Sequence, residues 1–146
     1  LNTDKPIWTV LTTVYGSSQC IRATRRLLTR EKYWYYECFT TDYQSRTCYI
    51  MGANITAGTG GAPVVDGTGQ EGLSNHRYTV VYYNHDEMCM IYIYDNNGQR
   101  ECEMRVRDER VNITDGSVTT YCELELDRQC PYSRKYKPYY DICQTI

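Results

Sequence analysis

The chain has 146 residues and a formal net charge of -2, from 16 basic and 18 acidic residues. This length fits one ordinary domain spanning residues 1–146, and the near balance of charge argues against a nucleic-acid-binding protein, which needs a strongly basic face. The mean hydropathy of -0.63 and the lack of a long apolar run argue against a membrane protein.

The first third of the chain predicts four strands. Ile7–Val14 is a β-branched run of strand length, and Gln19–Leu28 alternates, although its second half also suits a helix. Lys32–Thr41 is the densest aromatic stretch, and Thr47–Ile55 follows it after a polar break. We expect these last two strands to form a hairpin.

A glycine-rich stretch, Ala57–Gly72, then interrupts the strands. It predicts a long loop with a short strand at Val64-Val65. A phosphate-binding loop is not indicated, because neither Gly-Lys-Ser/Thr nor an amphipathic helix follows the glycines. As a long loop, Ala57–Gly72 is also a candidate surface for a protein partner.

The rest of the chain predicts four more strands and a short helix. The strands are Arg77–Tyr83, Cys89–Tyr94, Glu101–Arg107 and Val118–Leu124. Asn97-Gly98 and Asp115-Gly116 favour tight hairpin turns between them. A helix is expected over Asp127–Tyr136, entered at Pro131 and stopped by Pro138. About eight short strands restrict the architecture to an up-and-down barrel or a β-sandwich.

The eight cysteines indicate the compartment. An even and high count predicts four disulfides made in an oxidising environment, so we expect a secreted, extracellular protein. The polar lead-in Leu1–Pro6 predicts a mature form without its signal peptide. Asn54-Ile55-Thr56 and Asn112-Ile113-Thr114 fit the N-glycosylation pattern and predict surface loops at Asn54 and Asn112.

Taken together, the strand order and the cysteine positions resemble the salivary lipocalins of ticks over nearly the whole chain. The landmarks are Ile7-Trp8, Cys20, Cys89, Cys102-Glu103-Met104-Arg105, Cys122 and the terminal Asp141-Ile142-Cys143. The resemblance implies an all-β, disulfide-rich fold: an eight-stranded antiparallel up-and-down barrel with a short C-terminal helix. It also implies a monomer secreted in saliva.

The resemblance also implies two disulfides, Cys20 with Cys143 and Cys89 with Cys122. Cys38 and Cys48 would lie across the predicted hairpin, so we pair them, which leaves Cys102 with Cys130.

The chain departs from that family in two places. Most relatives have a helix with an Asp-Ala-Trp type motif before the first strand, whereas only six residues precede Ile7 here. Many amine-binding members read Tyr-Glu-Leu-Trp where this chain reads Cys102-Glu103-Met104-Arg105. The acid is kept, but a cation replaces the second aromatic residue.

Two lines of argument disagree about where Glu103 points. Simple alternation puts Cys102, Met104 and Val106 on the apolar face and leaves Glu103 outside. The resemblance puts Glu103 inside the barrel, and Arg105 with it. We follow the resemblance, because a ligand cavity must present polar groups.

Tyrosines supply the other candidates, since the chain has 16 Tyr and a single Phe. Tyr33, Tyr35, Tyr92 and Tyr94 recur at period two, as do Tyr78 and Tyr82, so each set lines one face of its strand. Phenols suit a cavity wall, although a solvated sheet face is the alternative. The candidate ligand-binding residues are Glu103, Arg105, Glu37, Tyr35, Tyr92, Tyr94, Tyr82 and Trp34.

An enzyme is not expected. His76 and His85 are the only histidines and lie beside charged residues in predicted turns. No serine occupies a nucleophile-elbow motif, and the cysteines are expected to be bonded. The cysteine and histidine spacing matches no zinc site, so we expect neither a metal nor a cofactor.

Three functions follow as hypotheses. The first is capture of a small inflammatory mediator of the host, a biogenic amine such as histamine or serotonin, by Glu103 and Glu37. The second is binding of a fatty acid or leukotriene, with Arg105 pairing its carboxylate. The third is inhibition of a host protein, such as a complement component, through the loop Ala57–Gly72.

Overall fold

The computed structural model describes residues 1–67, 77–111 and 120–146. Eight antiparallel strands form a closed barrel in which each strand pairs with the next and the last pairs with the first. The strands are β1 Ile7–Thr12, β2 Gln19–Leu28, β3 Lys32–Thr40, β4 Thr47–Ala57, β5 Pro63–Gly67, β6 Arg77–Asn84, β7 Cys89–Asn96 and β8 Gln99–Arg107. The predicted barrel is confirmed, and the sandwich alternative is wrong.

In the part of the chain that the structure describes, two α-helices and two 3-10 helices accompany the barrel. They are α1 Asp108–Val111, α2 Tyr121–Gln129, and the 3-10 helices Thr59–Gly61 and Asp141–Thr145. Within the described ranges, no helix is long and apolar enough to cross a membrane.

The hairpin between β7 and β8 turns where the sequence predicts it. Asn97 and Gly98 have φ values of 53° and 88°, the positive pair that a two-residue turn requires. The turn predicted at Asp115-Gly116 lies outside the described residues.

The predicted loop Ala57–Gly72 contains a full barrel strand. β5 pairs with both β4 and β6, and its Val64 and Val65 side chains are buried. Because β5 is a full strand of the barrel, the predicted strand Glu101–Arg107 lies in the eighth strand, β8, and not in the seventh. Residues 68–72 of the predicted loop lie outside the described part of the chain.

The strand predicted over Val118–Leu124 is wrong in its described residues, because Thr120 is the N-cap of α2 and Tyr121–Leu124 lie within that helix. The Thr120 side chain accepts a hydrogen bond from the Glu123 backbone N–H at 3.1 Å, which is an N-cap. The Glu87 carboxylate accepts the N–H groups of Tyr121 and Cys122 at 3.1 and 3.2 Å. The Thr-x-x-Glu pattern at this point is a helix-start signal that the alternation of apolar residues obscured.

A short helix near the C-terminus is confirmed, but the bounds Asp127–Tyr136 are wrong. α2 ends at Gln129, so Pro131 follows the helix, as proline often does just beyond a helix end. Tyr136 instead forms a bridge with Thr12 of β1.

Four disulfides use all eight cysteines, in the pairs that the sequence analysis expected. They are Cys20–Cys143, Cys38–Cys48, Cys89–Cys122 and Cys102–Cys130. The last two join α2 to β7 and β8, so the helix is held covalently against the outside of the barrel.

This helix explains why both faces of β8 are buried. Met104 and Val106 of β8 pack with Ile91 of β7 and Leu126 of α2 in an outer core. A second, inner set of apolar side chains, which includes Met90 and Tyr92, lies inside the barrel. The apolar face of β8 therefore points outward to the helix, and its charged face points inward.

The two glycosylation patterns have different outcomes. Asn54 is exposed, as predicted, but lies within β4 rather than in a loop. Asn112 lies outside the described residues.

Candidate ligand-binding site

The inner face of β8 carries an ion pair. Glu103 and Arg105 lie two positions apart and therefore on the same face. The Arg105 Nε and Nη2 donate to Glu103 Oε2 at 3.1 and 2.8 Å, and the two side chains are only 10% and 14% exposed for Arg105 and Glu103 respectively. The orientation expected from the resemblance is thus the one observed, because α2 covers the apolar side of the strand.

Tyrosine rings surround the Arg105 guanidinium. Its central carbon lies 4.3 Å from the ring centroid of Tyr92 and 5.2 Å from that of Tyr78. Both distances are within the range of cation–π attraction, which strengthens when the cation is removed from water. Arg105 is therefore held by an anion and two aromatic faces.

A second acid, Glu37 on β3, faces the same interior. Burial raises the pKa of the Glu37 carboxyl above its ordinary 4.5; Arg105 lowers that pKa and Glu103 raises it further. Within the described residues, Glu37 makes no ion pair or hydrogen bond with a side chain, unlike Glu103. Glu37 is thus a partly buried acid with no side-chain partner among the described residues.

The remaining wall is made of phenols. Tyr33 and Tyr35 stack with their ring centroids 4.5 Å apart, and Tyr78 lies edge-on to Tyr94 at 5.0 Å. Burial raises the pKa of each of these groups, so they stay protonated at neutral pH.

Two buried hydroxyls in this wall have no hydrogen-bond partner. Tyr33 and Tyr92 are 3% and 1% exposed, and neither hydroxyl is paired within the described residues. A buried polar atom of this kind costs free energy unless a ligand or water supplies the missing bond. These hydroxyls mark a place where a polar group fits.

Six of the eight candidate residues meet in this interior, which we call the inner cluster. Its members are Glu37, Glu103, Arg105, Tyr33, Tyr35, Tyr78, Tyr92 and Tyr94. Tyr33 and Tyr78 belong to the period-two tyrosine sets but were not among the candidates.

Trp34 and Tyr82 do not belong to the inner cluster. Trp34 is 45% exposed, because it alternates with the inward Tyr33 and Tyr35. Tyr82 packs against the outer core. The register of β6 shifts between Val80 and Tyr82, and this irregularity breaks the alternation that places Tyr78 and Tyr82 on one face.

Glu101 is a further buried acid at one end of the inner face of β8. It is 6% exposed and accepts a hydrogen bond from the Thr13 hydroxyl. No local pattern links these two residues, because they are 88 positions apart. One oxygen of Glu101 is therefore already bonded to a group of the fold.

A pocket of about 590 Å³ opens near the Asn97-Gly98 turn. Its lining includes Arg77, Asp95, Arg100 and Tyr94. Only Tyr94 also belongs to the inner cluster, so the pocket reaches that cluster at one ring.

One group of described residues has the side-chain types of a metal site, namely Glu87, Cys89 and Cys122. Its two sulfur atoms are bonded to each other, and Glu87 caps α2. These groups are committed to structure, and the cluster does not fit a metal ion.

Comparisons with known proteins identify the fold. No family model and no curated protein sequence matches the chain. Among solved structures, Japanin from Rhipicephalus appendiculatus bound to cholesterol is 9% identical with a TM-score of 0.60, over 95% of each chain. Lobster apocrustacyanin A1 is 9% identical with a TM-score of 0.52, over 97% of this chain and 83% of that one. Apocrustacyanin C1 is 8% identical with a TM-score of 0.54, over 98% and 83%. The chain shares the closed eight-stranded barrel fold of these proteins, which is a lipocalin-like fold.

Proposed function

We propose that this chain is a secreted, non-enzymatic protein that binds a small aromatic amine, of the histamine or serotonin type, inside the barrel. The observation that carries the proposal is Glu37, a partly buried acid that makes no ion pair within the described residues and lies beside the completed Arg105–Glu103 pair. A ligand ammonium would supply the positive charge that pairs with the Glu37 carboxylate.

The charges of the inner cluster favour a cation over an anion. Among the eight residues of the inner cluster, Glu103 and Arg105 neutralise each other, so ionised Glu37 leaves one net negative charge. A cationic ligand cancels that charge, whereas a fatty-acid carboxylate would add a third anion and compete with Glu103 for Arg105. Burying an unpaired charge costs several kcal/mol.

The tyrosines suit the rest of such a ligand. Ammonium groups bind to aromatic faces, and a heteroaromatic ring can stack against phenols. The unpartnered hydroxyls of Tyr33 and Tyr92 can donate to ring nitrogens or accept from ring N–H and O–H groups. Each component of an aromatic amine therefore has a complement in the inner cluster.

Size sets a strict requirement on this binding. Nanomolar affinity needs about -12 kcal/mol, and a ligand of roughly eight heavy atoms has a ceiling of about -1.5 kcal/mol per atom. Histamine thus reaches that affinity only if the barrel encloses it completely and pairs its charge.

A neutral lipid is the second candidate. Japanin, whose fold this chain shares, is bound to cholesterol in its solved structure. A single lipid hydroxyl could pair with Tyr33 or Tyr92 without disturbing Arg105. A fatty acid or leukotriene is disfavoured for the reason of charge given above.

The biological setting proposed here is that of a tick salivary lipocalin that removes a host mediator. It draws on the sequence resemblance, the four disulfides and the shared fold with Japanin. Inhibition of a host protein through residues 57–72 has less support, because residues 63–67 of that segment form β5.

Calorimetric titration of histamine, serotonin, cholesterol and a leukotriene tests the proposal. Glu37→Gln should abolish amine binding while leaving any lipid binding unchanged, and Glu31→Gln, the same change at an exposed site, should have no effect. Glu103→Gln is a poorer test, because it also removes the ion-pair partner of Arg105 and can change the inner cluster independently of any ligand.

Proton release separates the candidates further. An ammonium ligand ionises Glu37, so amine binding near the raised pKa should release a proton, seen as a heat that depends on the buffer. Saturable binding of cholesterol alone, without proton release, would show that the ligand is a neutral lipid and not an amine. Unchanged amine affinity in Glu37→Gln would overturn the proposal.

A further inference from the structure

We propose that Asn54 carries an N-linked glycan whose first sugars lie on the outside of the barrel against the Trp34 indole. This inference concerns the outer surface and does not depend on what the barrel binds.

The outer surface of β2, β3 and β4 exposes neighbouring apolar side chains. Leu27, Trp34 and Ile50 are 51%, 45% and 41% exposed. In the sheet, Trp34 stands between Leu27 of β2 and Gly52 of β4. We call Leu27, Trp34 and Ile50 the Trp34 face. Large apolar side chains exposed side by side indicate that something covers them.

Asn54 lies at the edge of this face. Its neighbours in β4, Met51 and Ala53, point into the inner core, so Asn54 points outward, where it is exposed. Trp34 is paired with Gly52, and Asn54 is the next outward position along β4. Diagonal neighbours of this kind are about 7–8 Å apart, within reach of an aromatic side chain.

Gly52 is the outward position of β4 between Ile50 and Asn54, and it is opposite Trp34. The outward positions of β4 are Ile50, Gly52 and Asn54, and a glycine contributes no side chain. No side chain of β4 therefore stands between the Asn54 amide and the Trp34 ring. Of the outward aromatic side chains of β3, the Trp34 indole is the one nearest to a sugar attached to the Asn54 amide.

The sequence supplies the chemistry of attachment. In Asn54-Ile55-Thr56 the side-chain nitrogen of Asn54 attacks C1 of a sugar on a lipid pyrophosphate carrier. The C1–O bond to the carrier breaks, the N–C1 bond forms, and the nitrogen's proton leaves with the lipid pyrophosphate. The attached N-acetylglucosamine presents C–H groups, which pack on an indole face.

Charge disfavours a second copy of the chain as the occupant. Lys32 lies directly opposite Asn54, and Arg26 lies over Tyr36 on the same outer surface. A two-fold dimer whose axis passes near Trp34 would bring Lys32 and Arg26 close to the cations of the other copy. Asp66, opposite Asn54 on β5, is one acid against these two cations. A neutral glycan carries no such cost.

The test uses the full chain secreted from a eukaryotic host. Peptide mass mapping determines whether Asn54 is modified, with Thr56→Ala as the unglycosylated comparison and Thr114→Ala removing the other glycosylation pattern. Acrylamide quenching reports on Trp34, because the other tryptophan, Trp8, is 1% exposed and contributes little. Light scattering gives the oligomeric state.

We expect Asn54 to be modified and the quenching constant to be about halved relative to Thr56→Ala. The glycan should also raise the midpoint of thermal unfolding by about 2–4 °C, and Trp34→Ala should remove that difference between glycosylated and unglycosylated protein. An unmodified Asn54 overturns the proposal. So does a glycan that leaves the quenching unchanged, or dimerisation that depends on Trp34.

Discussion

Glu103 and Arg105, two positions apart on one strand, form their ion pair inside the barrel. Two N–H groups of Arg105 donate to one oxygen of Glu103, at 3.1 and 2.8 Å. Residues at this spacing must share a face of the strand, so the two charges enter the interior together. Each charge offsets part of the free-energy cost of burying the other. The pair therefore leaves little net charge at this point of the inner cluster.

We therefore expect Glu103→Gln to be strongly destabilising. The substitution leaves the Arg105 cation buried without an anion directly bonded to it, and removing one member of a buried pair costs about 3–5 kcal/mol. Urea denaturation measures the loss. A loss below about 1 kcal/mol, the value for exposed pairs, would mean that water reaches this pair.

The double variant Glu103→Leu with Arg105→Met is the control for that experiment. It removes both charges and fills the space with apolar groups, which is often neutral or stabilising. We expect it to recover most of the stability lost in Glu103→Gln.

Glu37→Gln should stabilise the protein at neutral pH. The folded state raises the pKa of Glu37 above its ordinary 4.5, so the folded protein holds this proton more tightly than the unfolded chain. The free energy of unfolding therefore falls as the pH rises from the ordinary pKa through the raised one. The Glu37→Gln variant has no carboxyl at this position, so its free energy of unfolding lacks this decrease with rising pH.

Denaturation at about pH 4 and about pH 7 measures the effect of Glu37. The variant and the wild type should be similar at the lower pH, and the variant should be more stable at the higher one. Glu31→Gln is the exposed control. A variant that is less stable at neutral pH would show that ionised Glu37 has a partner in the native state.

Much of the barrel was predictable because its signals are local. The strand Gln19–Leu28 and the turn Asn97-Gly98 follow from alternation and from turn chemistry. α2 was missed because Tyr121–Leu124 alternates like a strand, while the capping carboxylate comes from Glu87. Which side chains line the interior of the site also depends on contacts between residues that are distant in the sequence. Only the position of α2 decides which face of β8 is inside.

Thr120→Ala tests the cap that starts α2. Loss of the side-chain acceptor for the Glu123 N–H should lower the free energy of unfolding by about 1 kcal/mol. Thr120→Ser keeps the hydroxyl and should be close to wild type. Urea denaturation compares the two. Equal stability of the alanine and serine variants would show that Glu87 and the disulfides alone hold this end.

The disulfides should differ in their contributions to stability. Cys20–Cys143 spans 123 positions and Cys38–Cys48 only 10. Loop-closure entropy predicts upper limits of about 5 and about 3 kcal/mol respectively. Paired Cys→Ala variants, compared by guanidinium denaturation, should rank in that order. The reverse order would show that folded-state contacts, rather than chain entropy, dominate.

Tyr33→Phe should increase stability and weaken ligand binding. Its hydroxyl is buried and has no hydrogen-bond partner among the described residues, so removing it avoids a desolvation cost of about 1–3 kcal/mol in the ligand-free protein. The same hydroxyl is available to a polar ligand, so the ligand loses a bond. Urea denaturation and calorimetry measure the two effects on one preparation. Tyr132→Phe, at a fully exposed tyrosine, is the matched control. A Tyr33→Phe variant with lower stability would show that the hydroxyl is satisfied by water, and unchanged affinity would place the ligand elsewhere in the barrel.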